Sequence, residues 1–205
     1  MKENWNKRFA SEEYVYGKEP NEWVKLQLSK IKPSKILFPG EGEGRNAVWA
    51  AKNGFDVHAF DFSEEAKNKA LNLAQQNDVQ INYIITSFGE TKKHFDFNSF
   101  DAIVLVYVHL HEDIRQNAHK LLLDFLKPGG KLFLEAFSKE QLSLNSGGPK
   151  NLQMLYSVED LQTDFAELKN LKISREDIIL KEGAFHQGLA NVIRLVGEKR
   201  GKFER

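Results

Sequence analysis

Apolar positions alternate between two rhythms along the chain. Short apolar runs at 35–38, 56–60, 81–86, 100–107 and 131–137 predict strands. The segment DAIVLVYV is nearly continuous in apolar residues, as in a strand covered on both faces. Between the runs the apolar positions fall at helical spacing. Residues 64–77 place Ala66, Ala70, Leu73 and Ala74 on one stripe behind Ser63, a good N-cap. Residues 112–126 place Ile114, Ala118, Leu121, Leu122 and Phe125 on one face. That helix is predicted to stop at KPGG (127–130), where Pro128 cannot continue it and the glycines can turn the chain. Strand and helix in alternation predict an α/β fold with a doubly wound parallel sheet. Two more strands, 177–183 and 190–197, follow in succession around a short turn near 186–188 and read as a hairpin.

Residues 1–34 precede the first strand and hold two predicted helices, around WNKRFASEE and NEWVKLQLSK. Trp5, Phe9, Tyr14, Tyr16 and Trp23 make this segment aromatic, which suits a helical cap that packs on the sheet and roofs a ligand pocket. The expected organisation is one domain over 1–205, with a cap at 1–34 and a Rossmann-like core at 35–205. The stretch 142–155 leaves the carboxyl end of the fifth strand, where open α/β sheets bind ligands, so it is placed to close the site.

Composition narrows the class of partner. Lysine plus arginine equals aspartate plus glutamate at 29 each, so no overall charge draws the chain to nucleic acid or to an anionic membrane. The absence of cysteine excludes disulfides, thiolate metal sites and a cysteine nucleophile. The N-terminus lacks an apolar signal core, and no apolar run approaches the ~20 residues that span a bilayer. The expectation is a cytoplasmic protein with a small-molecule partner. Nothing in the pattern reads out an oligomeric state.

The chemistry concentrates in FPGEGEGRNAVWAAKNGFDVHAFDFS (38–63). Gly40, Gly42 and Gly44 lie between a predicted strand and a predicted helix. Glycines let the backbone turn and let a ligand approach, and free N–H groups at a helix start can hold polar or negative ligand atoms. Asp61 ends the next strand, where a carboxylate can accept hydrogen bonds from ribose hydroxyls. A dinucleotide loop would place its third glycine at Arg45, counting from Gly40. Counted from Gly42, G-E-G-R-N-A satisfies the alanine variant, so spacing alone leaves the dinucleotide open. No G-K-[ST] follows, which excludes a P-loop. Glu41 and Glu43 read as solvated, or one of them as a partner for a ligand amino group.

With GEGEGRNAVWAAKNGFDVHAFDFS, FDAIVLVYVHLHEDIR, LKPGGKLFLEAF and EGAFHQGLANVIRLVGEK together, the chain resembles the class I S-adenosylmethionine (SAM)-dependent methyltransferases, in the tellurite-resistance and thiopurine-type group. The resemblance implies a seven-stranded sheet of order 3-2-1-4-5-7-6 with strand seven antiparallel. It implies SAM as cofactor and S-adenosylhomocysteine as product. Gly40, Gly42 and Gly44 would pass the methionine part of SAM, Asp61 would take the ribose and Phe62 would lie against the adenine. Thr86, Ser87 and Phe88 would border the adenine edge, Val106 and Tyr107 the methyl group, and Arg8 and Tyr16 the SAM carboxylate. Two positions depart from the family pattern. Phe38 stands where many loops carry an acid, and TSF follows strand three where many carry an aspartate. The group also implies a small acceptor, with a soft heteroatom or an oxyanion among the possibilities.

Methyl transfer needs alignment in every case and a base only when the acceptor holds a proton. His186, Arg194 and His109 are the candidate catalytic residues. His186 serves either to cap a turn or to face the acceptor. Arg194 lies between Ile193 and Leu195 and serves either a structural ion pair or an anion. His109 and His111 follow strand four and serve the acceptor pocket, a helix start or, least of all, a metal. Rival readings are a dinucleotide-dependent oxidoreductase, a methyltransferase of RNA or protein, and a SAM-binding protein without catalysis.

Overall fold

The structure is a computed structural model that describes residues 2–201. Residue 1 and residues 202–205, the ends of the expected domain, lie outside the described residues. Helices α1 (Lys2–Phe9) and α2 (Glu22–Leu28) precede the sheet. The core then runs β1 (Lys35–Pro39), α3 (Arg45–Lys52), β2 (Asp56–Asp61), α4 (Glu64–Gln76) and β3 (Asn82–Ile85). It continues through β4 (Phe100–Val106), α5 (Glu112–Phe125), β5 (Leu126–Phe137), α6 (Val158–Asp164), β6 (Leu168–Glu182) and β7 (His186–Lys199). The seven strands lie in the order β3-β2-β1-β4-β5-β7-β6, and β7 runs antiparallel to both neighbours.

Side chains alternate across the sheet with a period of two, and both faces are buried. Ile36, Phe38, Ala102 and Val104 point to one face and pack with Val24 and Leu28 of α2, Ala47 of α3 and Leu73 of α4. Leu37, Ile103 and Leu105 point to the other and pack with Leu122 and Phe125 of α5 and Leu161 of α6. Two covered faces explain why the β4 run is continuous rather than alternating. Among the described residues no helix is long and apolar enough to cross a membrane.

Several boundaries differ from the sequence expectation. Strand β4 ends at Val106 because Tyr107 takes a left-handed conformation, φ 52°. Leu126 is already extended and pairs with Phe100, so α5 ends before KPGG and a register shift between Phe100 and Ala102 absorbs that segment. The hairpin turn falls at 183–185, not near 186–188, which puts His186 at the start of β7. Gly183 fixes that turn: it has φ 62°, and a Cβ there would lie 2.4 Å from the Val15 carbonyl oxygen of the cap. Helix α6 was not expected from the apolar pattern, although Ser157 and Asp160 form a complete capping box that the letters SVED announce.

Gly44 has a packing duty. It caps α3 at φ 89°, and a Cβ there would sit 2.6 Å from the Ala70 Cβ of α4. We predict that Gly44→Ala destabilises the fold by about 2–4 kcal/mol, from left-handed strain plus overpacking. Urea unfolding measures it; a loss near zero would contradict this packing.

Candidate active site

A cavity of about 820 Å³ opens beyond the carboxyl ends of β1, β2 and β4, under the cap and the 142–155 loop. Its size lies in the range of small-molecule sites, about 300–1,000 Å³. One end is built by the glycine loop and Asp61, the other by Tyr107, His109, Phe137 and His186.

At the first end the turn is carried by positive φ at Gly40 (61°) and Gly42 (64°), and both line the cavity. Gly44 does not line it, so the expectation that all three glycines pass the ligand is corrected to two. The two loop acids are not solvated as expected. Glu41 Oε1 accepts the N–H groups of Asn46 (2.9 Å) and Ala47 (2.8 Å). Glu43 is buried, accepts from Lys69 Nζ at 2.7 Å and from the Tyr16 N–H at 3.4 Å. The first turn of α3 is therefore capped by the protein's own carboxylate, which takes two of the N–H groups expected to meet a ligand. Burial pushes the Glu41 carboxyl up to about 7, with the two N–H bonds and Arg45 acting against it.

Asp61 closes the same end. Its Oδ2 accepts the Gly42 N–H at 3.3 Å and its Oδ1 the Ser63 N–H at 2.9 Å. Burial raises its pKa and these N–H bonds oppose the rise. Each carboxylate oxygen has a further lone pair for a ligand. Phe62, Thr86, Ser87 and Phe88 line the wall beside it, and Val106 lines the cavity at the end of β4. Tyr83 donates to the Gly42 carbonyl at 2.7 Å and ties the loop to β3.

The other end rests on a buried polar network. Glu135 is 1% exposed; it accepts from Asn21 Nδ2 (2.6 Å), Tyr107 Oη (2.8 Å) and Arg194 Nε (2.6 Å). Glu182 accepts from Arg45 Nη2 (2.8 Å) and Asn21 Nδ2 (3.1 Å) and faces His186 Nδ1 at 3.3 Å. Arg194 lies between Glu135 and Glu176 and does not line the cavity. Its assignment as catalytic is corrected: it is the counter-ion of a buried carboxylate. His109 is corrected too. Its Nδ1 lies 2.7 Å from the Met154 carbonyl, and its Nε2 accepts the Phe137 N–H at 3.2 Å. Burial holds its pKa at about 4, so it is a neutral wall with no free nitrogen. His111 caps α5 and bonds Gln153. His186 is buried, lines the cavity and keeps its Nε2 free of protein partners among the described residues.

The cap supplies the roof. Arg8 donates to Tyr16 Oη at 3.1 Å and lies over the rings of Trp5 and Phe185, and all four residues line the cavity. The sequence reading missed Glu135, Glu182, Asn21 and Phe185. One signal was present: Glu135 is a lone acid inside LFLEAF, and a charge in such a run needs a buried partner. Among the described residues no group of three or more His, Asp or Glu side chains is placed to hold a metal.

Residues 36–130 match the methyltransferase domain family. That match runs from β1 to the KPGG turn, a little under half of the chain. Its relatives include a ubiquinone biosynthesis O-methyltransferase of Rickettsia typhi, 29% identical over 127 residues that make up 62% of this chain and 48% of that protein. The chain thus spans about half the length of these curated relatives. Among solved structures, TehB from Haemophilus influenzae superposes with a TM-score of 0.69 at 15% identity, covering 97% of this chain and 67% of TehB. A Haemonchus contortus phosphoethanolamine N-methyltransferase 2, solved with phosphomonomethylethanolamine and S-adenosylhomocysteine, superposes at 0.71 with 18% identity, covering 96% and 58%. These neighbours share the fold described above.

Glu41→Ala in this domain uncaps α3 and is predicted to cost about 0.5–2 kcal/mol. Denaturant midpoints check this, with Glu41→Gln, which retains an acceptor oxygen, expected to lose less.

Proposed function

We propose that the cavity binds SAM and that the domain transfers its methyl group to a small-molecule acceptor held beneath the cap. The observation that carries this is the single cavity joining the glycine loop and Asp61 to His186, large enough for a nucleoside cofactor and a small acceptor side by side. Asp61 would take the ribose hydroxyls, with Phe62 and Phe88 beside the adenine and Ser87 at its edge. Gly40 and Gly42 would border the methionine part, and Val106 and Tyr107 the methyl group. Arg8 and Tyr16 would receive the carboxylate from the roof.

The donor set favours this ligand over a dinucleotide. A pyrophosphate needs the N–H groups at the start of α3, and Glu41 holds two of them. A ligand ammonium or sulfonium meets no such obstacle beside Glu41. The cap and the 142–155 loop roof the acceptor end, which suits a small molecule better than RNA or a protein segment. The names of the relatives cover both oxygen and nitrogen acceptors, so they leave the acceptor open. The soft heteroatom or oxyanion suggested by the tellurite-resistance resemblance requires a free cation at the acceptor end.

Calorimetric titration with S-adenosylhomocysteine tests the cofactor placement. Asp61→Asn removes a charge-assisted acceptor worth about 1.5–3 kcal/mol and is expected to weaken binding about tenfold or more. Equal affinity in the two proteins would put the ribose elsewhere.

A further inference from the structure

We propose that His186 and Glu182 form a proton-accepting dyad, and that the acceptor is a flat, largely apolar molecule whose hydroxyl loses its proton to His186 Nε2. This inference rests on the reading of the cavity as a SAM site.

The dyad is built by the hairpin. The 183–185 turn returns the chain so that His186 Nδ1 lies 3.3 Å from Glu182 Oε2. Glu182 cannot swing away, because Arg45 Nη2 holds Oε2 at 2.8 Å and Asn21 Nδ2 holds Oε1 at 3.1 Å. A carboxylate accepts, so Nδ1 carries the hydrogen and Nε2 presents its lone pair. His186 lines the cavity, and Nε2 has no protein partner among the described residues. His109, the other histidine in the cavity wall, has both nitrogens committed to backbone.

The charged and titratable groups facing His186 are Glu182 from β6, Arg45 from α3, Glu135 from β5, Tyr107 and the neutral His109 after β4, and Tyr16 from the cap. Burial lowers the imidazole pKa, while Glu182 opposes the fall. Burial also tends to raise the Glu182 carboxyl, but His186 and Arg45 outweigh it and hold it low. Both tyrosines are pushed up by burial and remain neutral. At neutral pH the dyad is an ionised carboxylate beside a free imidazole.

The surroundings select the acceptor. Rings of Tyr16, Tyr107 and Phe137 lie 4.5, 4.6 and 5.2 Å from the imidazole. Glu135 and Glu182 are already neutralised by Arg194 and Arg45, so an ammonium acceptor finds no spare counter-ion. Arg8 serves the cofactor carboxylate in this reading, Arg45 beside His186 is held by Glu182, and Lys150 is exposed and bonded to the Leu144 carbonyl and Asn145, so no cation is left against His186 for an oxyanion. A neutral hydroxyl on an aromatic frame fits both constraints. In the step, the hydroxyl proton moves to Nε2 and the oxygen forms a bond to the sulfonium methyl carbon. The carbon–sulfur bond breaks, its electron pair goes to sulfur as a neutral thioether, and the imidazolium returns its proton to solvent on product release.

The test uses the full chain with saturating S-adenosylhomocysteine and 4-nitrophenol as probe, below the probe's own pKa. Binding to the native protein should raise the phenolate absorption band, and binding to His186→Gln should not. With SAM and a panel of phenols and catechols, His186→Gln should lower kcat/KM by about 100-fold or more. Glu182→Gln should lower it less and move the acid limb of the pH profile to lower pH, because the carboxylate that raised the imidazole pKa is gone. Both variants should still bind S-adenosylhomocysteine. Failure of the native protein to bind it would sink the cofactor reading. Normal binding with unchanged probe ionisation and turnover in His186→Gln would overturn the dyad. A native protein that binds it yet neither binds nor methylates any phenol or catechol would overturn the acceptor class.

Discussion

Glu135 is buried and Glu182 half-buried beneath the cap, and the arrangement around the cavity depends on keeping both carboxylates paired. An unpaired charge at that depth costs several kcal/mol. Glu135 is matched by Arg194 from β7, and Glu182 by Arg45 from α3. Asn21 joins the two. Its Nδ2 donates to both carboxylates, its Oδ1 caps α2 through the Val24 N–H, and its own N–H donates to Asn46 Oδ1 at 2.9 Å. One residue therefore locks the cap to the sheet, the hairpin and the glycine-loop helix. Lifting the cap would leave both ion pairs but take the shared Asn21 donor from the two carboxylates and break its bond to Asn46, so the roof of the cavity is tied into the fold.

The same economy of charge at the glycine loop decides which ligand the site suits. In an open α/β sheet the helix start after the first strand offers N–H groups to phosphates. Here Glu41 has taken that role, and Glu43 is consumed by Lys69 and the Tyr16 N–H. With Asp61 completing the rim, the cofactor end presents acids and glycines. That chemistry suits hydroxyl and cationic groups and opposes a pyrophosphate. The acid missing at Phe38 is no defect in packing, because Phe38 is fully buried in the core between the sheet and α3.

Much of the fold was legible in the sequence. Two-faced burial makes β4 a continuous apolar run, and good caps such as Ser63 mark helix starts, so alternation alone reaches the doubly wound class. The hairpin was legible as a pair of strands, but its turn was misplaced because Gly183 is chosen by contact with Val15, far away in sequence. The site was less legible. The place of Asp61, Gly40 and Gly42 on the cavity wall could be read from local spacing. The roles of Glu41, Arg194 and His109 could not, because each is decided by a partner supplied from another element. A polar residue read alone looks available for chemistry; the fold shows which ones are already spent.

On the reading proposed above, the acid-rimmed loop takes a SAM-type nucleoside and rejects a dinucleotide. Thermal unfolding with S-adenosylhomocysteine beside NADH tests it most directly. A ligand at 100 times its dissociation constant adds about 2.7 kcal/mol, or roughly 5–11 °C for a domain of this size. Such a shift is expected with S-adenosylhomocysteine and none with NADH. A shift with NADH alone would contradict it, and the reading of Glu41 as a barrier to phosphate would fall with it.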